Sequence, residues 1–249
     1  MESNTPEPIL LLMTGAMGAG KSVGADFYVE VRNASRWSRT ELMKRLAHGV
    51  ADGIGDPDEI LARIFTDASV RADVAHELLS YIAVYEPEPG KPRRLYQDVT
   101  QICQEHDPLC FERELASRID DAGEAEFCLI DDVRIKAAFD FFTGLGYRSI
   151  RIDAVEEARR RRMLDRDGYL PPDEAFRHPS EIELANVAHD WTIDNNEDNP
   201  ALLYRRLDGI LTELRGGQRP EPFDYETRAA LVMEQIAKTR AKIRAQGQR

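Results

Sequence analysis

Eight residues near the start of the chain, Gly15-Ala16-Met17-Gly18-Ala19-Gly20-Lys21-Ser22, combine the residue types needed to hold a polyphosphate. They fit the spacing G-x-x-x-x-G-K-[ST], in which glycines let consecutive backbone N–H groups turn into one concavity. The Lys21 ammonium would reach the outer phosphates and the Ser22 hydroxyl a Mg²⁺ ion. The N-terminus of a following helix would add its partial positive charge. The flanks suit this chemistry: ILLLMT at residues 9–14 is an apolar run too short for a helix, and residues 21 to about 31 read as helix. The pattern implies a nucleoside triphosphate, ATP with Mg²⁺, gripped by Gly15, Ala16, Met17, Gly18, Ala19, Gly20, Lys21, Ser22 and Val23.

Three further constellations bear on what such a phosphate tail would be used for. An apolar run, Phe127-Cys128-Leu129-Ile130, ends in Asp131-Asp132-Val133-Arg134. A carboxylate there stands near the metal and the attacking group, so Asp132 would hold Mg²⁺ or orient a nucleophile, with Arg134 facing the same cleft. Asp131 reads equally as a substrate contact and as a cap on the next helix.

The second constellation is Arg159-Arg160-Arg161-Arg162 with Arg166 close behind. Successive helical residues turn by about 100°, so the four cannot share a site, whereas Arg159, Arg162 and Arg166 lie on one face. A guanidinium suits a phosphoryl group in transfer because its fork donates to two oxygens and stays charged. The competing explanation is a solvated face neutralised by Glu156, Glu157 and Asp165. The third constellation, Arg93-Arg94-Leu95-Tyr96-Gln97-Asp98, could hold a monophosphate and a base edge, with plain surface charge as its rival.

Positioning these groups requires alternating strands and helices. Strands are expected at residues 9–14, 34–37, 126–131, 147–153 and 190–194. Helices are expected at about 21–31, 38–49, from 56 onward, 70–85, 95–105, 108–121, 135–145, 155–166, 180–186 and 200–214. Ser38-Arg39-Thr40-Glu41 and Ser180 with Glu183 read as capping boxes, and Asp56-Pro57 as a helix start. Segments 86–94 and 167–179 read as loops.

The alternation predicts an α/β protein with three α/β/α layers around a parallel sheet, and the glycine motif makes the expected fold that of a P-loop NTPase. Its domain would run over 1–215, with a core of 9–33 and 123–215, a helical acceptor-binding insertion at about 38–122, and an arginine-rich lid at about 155–180. Residues 216–249 form a linker and an amphipathic helix at about 224–245. Ala229, Val232, Met233, Ile236 and Ile243 share a face of it, suited to docking on the core or on a second subunit, and the latter would make a homodimer.

Composition excludes some classes. The 249 residues carry a net charge of −12, the wrong sign for a sequence-independent hold on a nucleic-acid polymer. The start is polar and no apolar run approaches membrane-spanning length, so neither a leader nor a membrane partner is expected. Cys103, Cys110 and Cys128 have no metal-binding spacing and fit the reducing cytoplasm.

In order and content these motifs resemble the deoxynucleoside monophosphate kinase family of bacteriophages and bacteria, over roughly residues 9–214. After the glycine loop, RRLYQDVTQICQEHDPLCFERELASRI resembles its Arg…Leu-Gln-Asp-x-Gly-Thr…Arg…Asp-Pro…Trp stretch. IDDVRIKAAFDFFTGLGYRSIRI resembles its Asp-Val-Arg…Gly segment, and RHPSEIELANVAHDWTIDNN its His-x-Ser-Glu…Asp…Ile-x-Asn segment. Thr100 stands where that family has glycine, Gln104 where it has arginine, Cys110 or Phe111 where it has tryptophan, and Ala138 where it has an acid.

The resemblance implies reversible, Mg²⁺-dependent phosphoryl transfer from ATP to a nucleoside monophosphate, ribo or deoxy. It assigns donor contacts to Lys21, Ser22 and Asn195, acceptor contacts to Trp37, Arg93, Arg94, Gln97 and Asp131, and cleft roles to Asp132 and Arg134. His178, Ser180 and Glu181 match its motif without an evident physical role. Two rival readings remain: a kinase of phosphomevalonate or dephospho-coenzyme A, and a nucleotide-dependent switch with little turnover.

Overall fold

Four apolar residues in succession at the centre of β1 (Ile9–Thr14) have nowhere to go but a sheet covered on both sides. In the computed structural model, which describes residues 7–86, 92–123, 125–170, 173–176 and 183–247, β1 is the middle strand of five. The others are β2 (Ser35–Trp37), β3 (Phe127–Ile130), β4 (Arg148–Asp153) and β5 (Trp191–Asp194), in the order β2-β3-β1-β4-β5. β1 pairs in parallel with β3, Leu12 opposite Ile130, and with β4, Met13 opposite Ile150. β4 pairs in parallel with β5. The protein is therefore α/β with a five-stranded parallel sheet. Leu11 and Met13 join Ile150 and Ile152 in one core, while Leu12, Cys128 and Ile130, of opposite parity, are buried as well.

The chain forms two compact units, one of residues 1–36 and 125–249, the other of 37–124. Beside the sheet, the first unit holds α1 (Lys21–Arg32). Beyond Trp37 of β2, the elements of the second among the described residues are helices: α2 (Arg39–Asp52), α3 (Pro57–Ile64), α4 (Ala68–Ile82), α5 (Arg93–His106) and α6 (Cys110–Asp121). Its core collects Leu42, Leu46, Val74, Leu78, Val99 and Phe111. Two buried acids are answered inside it, Glu112 by Arg39 at 3.0 Å and Glu114 by Arg63 at 2.8 Å. Cys103 and Cys110 also lie in this core, unbonded to each other, and burial pushes the Cys103 thiol up to about 12.

After β3 the first unit continues with α7 (Lys136–Gly144), α8 (Glu156–Asp167), α9 (Asp173–Phe176), α10 (Pro200–Leu214) and α11 (Tyr225–Gly247). Phe27, Tyr28, Leu203, Tyr204 and Leu207 pack α1 and α10 on the core face of the sheet. Tyr204 stacks on Phe27 with ring centres 4.6 Å apart. Fully burying an aliphatic or aromatic side chain of this size is worth about 1.5–3 kcal/mol.

Several boundaries differ from expectation, each for a tertiary reason. α2 runs past Gly49 because that glycine is buried against Pro57, and Gly53, in the left-handed region at φ 66°, stops the helix instead. α5 begins at Arg93, directly after Pro92, so Arg93 and Arg94 belong to a helical first turn and not to a loop. Within the expected loop 167–179, residues 173–176 make a helical turn. Its Phe176 is buried, 4.2 Å below the Arg160 guanidinium. The expected cap pairing of Ser180 with Glu183 involves a residue outside the described ones. The Glu183 carboxylate accepts from the Lys136 N–H at 2.7 Å, at the start of α7. The final helix docks on its own chain, with Ala229 buried in the sheet unit's core.

Candidate functional site

Chain direction creates a crevice at the carboxyl ends of the strands. From β1 the chain leaves toward β2 on one side, and from β4 toward β5 on the other, so ligands are expected between the ends of β1 and β4. Gly15 begins the loop there. Its φ is +140°, and a Cβ would stand 2.1 Å from the Ile152 carbonyl oxygen of β4, so a side chain is excluded. At the other end Gly20 caps α1 with φ 111°, and a Cβ would meet the Asn195 amide nitrogen at 2.5 Å.

Asn195 is a fastening between the loop and the sheet. Its buried side-chain amide donates to the Ala19 carbonyl at 2.7 Å, and its backbone N–H donates to Asp153 at the end of β4, also at 2.7 Å. Lys21 bends back over the loop, its ammonium donating to the Gly15 carbonyl at 2.5 Å and the Ala16 carbonyl at 3.5 Å. Ser22, exposed, and Val23, half-buried, follow on the first turn of α1.

α8 lies alongside. Arg159 donates to the Met17 carbonyl at 3.4 Å, and Arg162 donates to Ala19 at 3.5 Å and to the Glu197 carbonyl at 2.8 Å. Arg160 pairs with Glu156 and Asp173, and Arg161 with Asp198, which Arg162 also reaches at 3.3 Å. Arg166 pairs with the adjacent Asp167 at 2.6 Å and lines the same groove as Arg162, Gly20, Lys21 and Ser22. Two of the arginines, Arg159 and Arg162, thus touch the loop and Arg166 lines the groove, while Arg160 and Arg161 are held in ion pairs, the latter with Asp198 on the groove's lining.

Asp131, just beyond β3, is buried and clasped by Arg36, with contacts of 3.1 and 2.5 Å to its two oxygens; Arg36 also reaches Asp26 at 2.8 Å. No side chain of its own segment caps α7, so the cap reading for Asp131 does not hold. Asp132 and Arg134, both half-buried, follow at the same sheet end. Asp132 lies two residues past the rung joining Leu12 and Ile130, as Thr14 does on β1.

Within the helical unit, Trp37 has a buried indole N–H without a hydrogen-bond partner among the described residues, and the Arg118 guanidinium sits 5.9 Å from its ring. Arg94 and Gln97 are exposed on α5, and Arg94 stands 3.5 Å from Asp98. Arg93 opens that helix. The unit also holds a groove that the motifs did not signal, lined by Ser38, Thr40, Lys44, Arg45 and His48. The His48 ring bonds the Tyr96 hydroxyl at 2.8 Å. His178, Ser180 and Glu181 lie outside the described residues.

One half-buried titratable group beside the loop escaped notice in the sequence. His189 places Nε2 2.8 Å from the Thr14 hydroxyl at the end of β1, and Nδ1 2.8 Å from the Val187 carbonyl. Burial, aided by nearby Arg151 and opposed by the Val187 bond and Asp190, holds its pKa below the ordinary value. The unfolded chain therefore takes up a proton near pH 6.5 that the folded one refuses, so stability falls as pH drops through that value and levels off below the folded pKa. Urea midpoints measured from pH 7.5 to 5 should fall more steeply for the wild type than for His189→Gln. Parallel profiles would remove His189 from the account.

No family model matches the chain, and no curated protein matches it. Among solved structures it is similar to TT1252 from Thermus thermophilus, with 22% identity, 84% of this chain and 99% of that chain covered, and a TM-score of 0.46. Among the described residues no helix is long and apolar enough to cross a membrane.

Proposed function

We propose that this chain is a P-loop phosphotransferase that moves the γ-phosphoryl group of Mg²⁺-ATP to a nucleoside monophosphate, ribo or deoxy. The observation that carries the reading is the Gly15–Ser22 loop, at the crevice of a parallel sheet and on the N-terminus of α1, with the Arg159 and Arg162 side chains on its carbonyls. Backbone N–H groups, Lys21 and a helix N-terminus suit the β- and γ-phosphates. Arg159, Arg162 and Arg166 stand on one segment, as needed to neutralise a group in transit and exclude water from it. Asp132, just past the end of the neighbouring strand, would orient the attacking oxygen. An acceptor phosphate oxygen would bond to the γ-phosphorus as the bond to the β–γ bridging oxygen breaks, and ADP would leave with that electron pair.

Mg²⁺ fits this donor set: it takes one or two protein oxygens together with phosphate oxygens. Ser22, exposed at the first turn of α1, and Asp132 are the residues that would hold it. When bound it would neutralise charge on the β- and γ-oxygens. Trp37, Arg93, Arg94, Gln97 and Asp131 are the proposed acceptor contacts. Asp131 would act through its pairing with Arg36.

A coupled ADP-release assay tests this reading. It would use Mg²⁺-ATP with the ribo- and deoxynucleoside monophosphates, phosphomevalonate and dephospho-coenzyme A. Stimulation by one or more nucleoside monophosphates is expected. Stimulation confined to phosphomevalonate or dephospho-coenzyme A would keep the transferase and replace the acceptor. No stimulation by any of them, with ATP still bound, would favour a nucleotide-dependent switch.

A further inference from the structure

The groove at the glycine loop has a wall that no motif announces. Beyond Gly20, Lys21 and Ser22 it is closed by Val232, Met233 and Ile236 of α11. That helix is held in place by the chain's own contacts one or two turns earlier. The Tyr225 hydroxyl donates to Asp208 at 2.7 Å, Glu226 pairs with Arg205 at 2.7 Å, Arg228 pairs with Glu30, and Ala229 is buried. The next turn, carrying Val232, Met233 and Ile236, is thereby fixed beside the loop without being absorbed into the core. Val232 and Ile236 are half-buried, and Met233 is 42% exposed.

The groove's lining is of two kinds. Glycine-loop residues join Lys21, Arg162 and Arg166, with Asp165, Glu197 and Asp198 among them, and the apolar part is Val232, Met233, Ile236, Leu203 and Met163. The glycine loop and Lys21 in one groove with an apolar wall match a ligand with an anionic tail and a flat, weakly polar ring, which would take Arg162 and Arg166 from their pairing with Asp198 and Asp167. A ring laid on α11 would cover aliphatic surface that otherwise meets water, worth about 25 cal/mol per Å². Methionine is suited to such a wall because its thioether adapts to a ring and contacts it favourably.

We propose that α11 forms the base-binding wall of the donor site: the heterocycle of the nucleoside triphosphate packs on Val232, Met233 and Ile236 while its phosphates lie in the Gly15–Ser22 loop. This rests on the donor reading above and adds the residues that recognise the base. Holding the ring by its face gives affinity with little discrimination at its edge, so ATP and GTP should bind within about tenfold of each other.

Calorimetry with Mg²⁺-ATP, Mg²⁺-GTP and Mg²⁺-tripolyphosphate, on wild type and on the neutral double variant M233Q/I236Q, separates the possibilities. The wild type should bind both nucleotides more tightly than tripolyphosphate. The variant should lose about tenfold or more in ATP affinity and keep its tripolyphosphate affinity within twofold. ATP binding unchanged in the folded variant would overturn the assignment of α11, as would a wild type that binds tripolyphosphate as well as ATP. A wild type that binds none of the three would sink the donor reading itself. Should the variant not fold, hydrogen exchange on the wild type decides. Amides of residues 232–236 should slow with Mg²⁺-ATP and not with Mg²⁺-tripolyphosphate, and equal exchange in the two would overturn the proposal.

Discussion

Lys21→Ala should lower phosphoryl transfer roughly 10²–10³-fold, the loss expected when one preorganised donor to a developing charge is removed. The fold should survive. The loop's shape is set by the fit of Gly15 against Ile152 and by the bond from Asn195 to Ala19, neither of which passes through Lys21. Its ammonium is only half-buried, on the carbonyls of Gly15 and Ala16. The urea midpoint should therefore shift by no more than about 0.5 kcal/mol equivalent, as for substitutions away from the core. Lys21→Arg should not restore the rate, since a planar fork cannot replace a compact point charge inside a tight loop. The coupled ADP assay at saturating acceptor measures the first effect and denaturant titration the second. Wild-type turnover in a folded Lys21→Ala protein would refute the donor assignment.

Asp208→Ala should produce the largest loss of stability. Asp208 lies in α10, and its carboxylate accepts from Arg32 of α1 at 2.8 and 2.5 Å and from the Tyr225 hydroxyl of α11 at 2.7 Å. Both charged side chains are only 6% exposed. Removing the acid leaves the guanidinium buried beside the Phe27 and Phe223 rings without its counter-charge, which costs about 3–5 kcal/mol. That is a large fraction of the 5–15 kcal/mol typical of a domain. The double variant Arg32→Met/Asp208→Leu should recover much of the loss, because no uncompensated charge remains. Urea titrations of the three proteins check both statements. A single variant within 1 kcal/mol of the wild type would show that water reaches Arg32 and relieves its charge.

Elements with strong local signals were legible in the sequence. Asp56-Pro57 opens a helix where capping chemistry says it should, the Asp56 side chain accepting from Glu59. The apolar runs of β1 and β3 became central strands, since four buried residues in a row satisfy a sheet covered on both faces. Segment 173–176 was misread because its helical turn depends on Phe176 finding the arginines of α8. α5 was placed two residues late because the basic pair reads as the end of a loop when α5's packing is unknown. In the candidate site the Gly15–Ser22 loop and the facing set Arg159, Arg162 and Arg166 could be read from spacing alone. The roles of Asn195 and His189 could not, because each acts on a residue more than 170 positions away.

Local order in the chain determined which residues are proposed to bind phosphate: a glycine turn, a lysine, a serine and a helix start are neighbours in sequence, so their juxtaposition is present before folding. It also determined the α/β alternation, because burial periods of two and of 3.6 are written in consecutive side chains. The tertiary structure alone decided what surrounds that loop. Whether the apolar face of α11 meets the core, a second subunit or a ligand depends on contacts of Tyr225, Glu226, Arg228 and Ala229 with residues far earlier in the chain. Such contacts leave no periodic trace, since a side chain's partner across the fold is set by the packing of whole elements and not by its neighbours along the backbone.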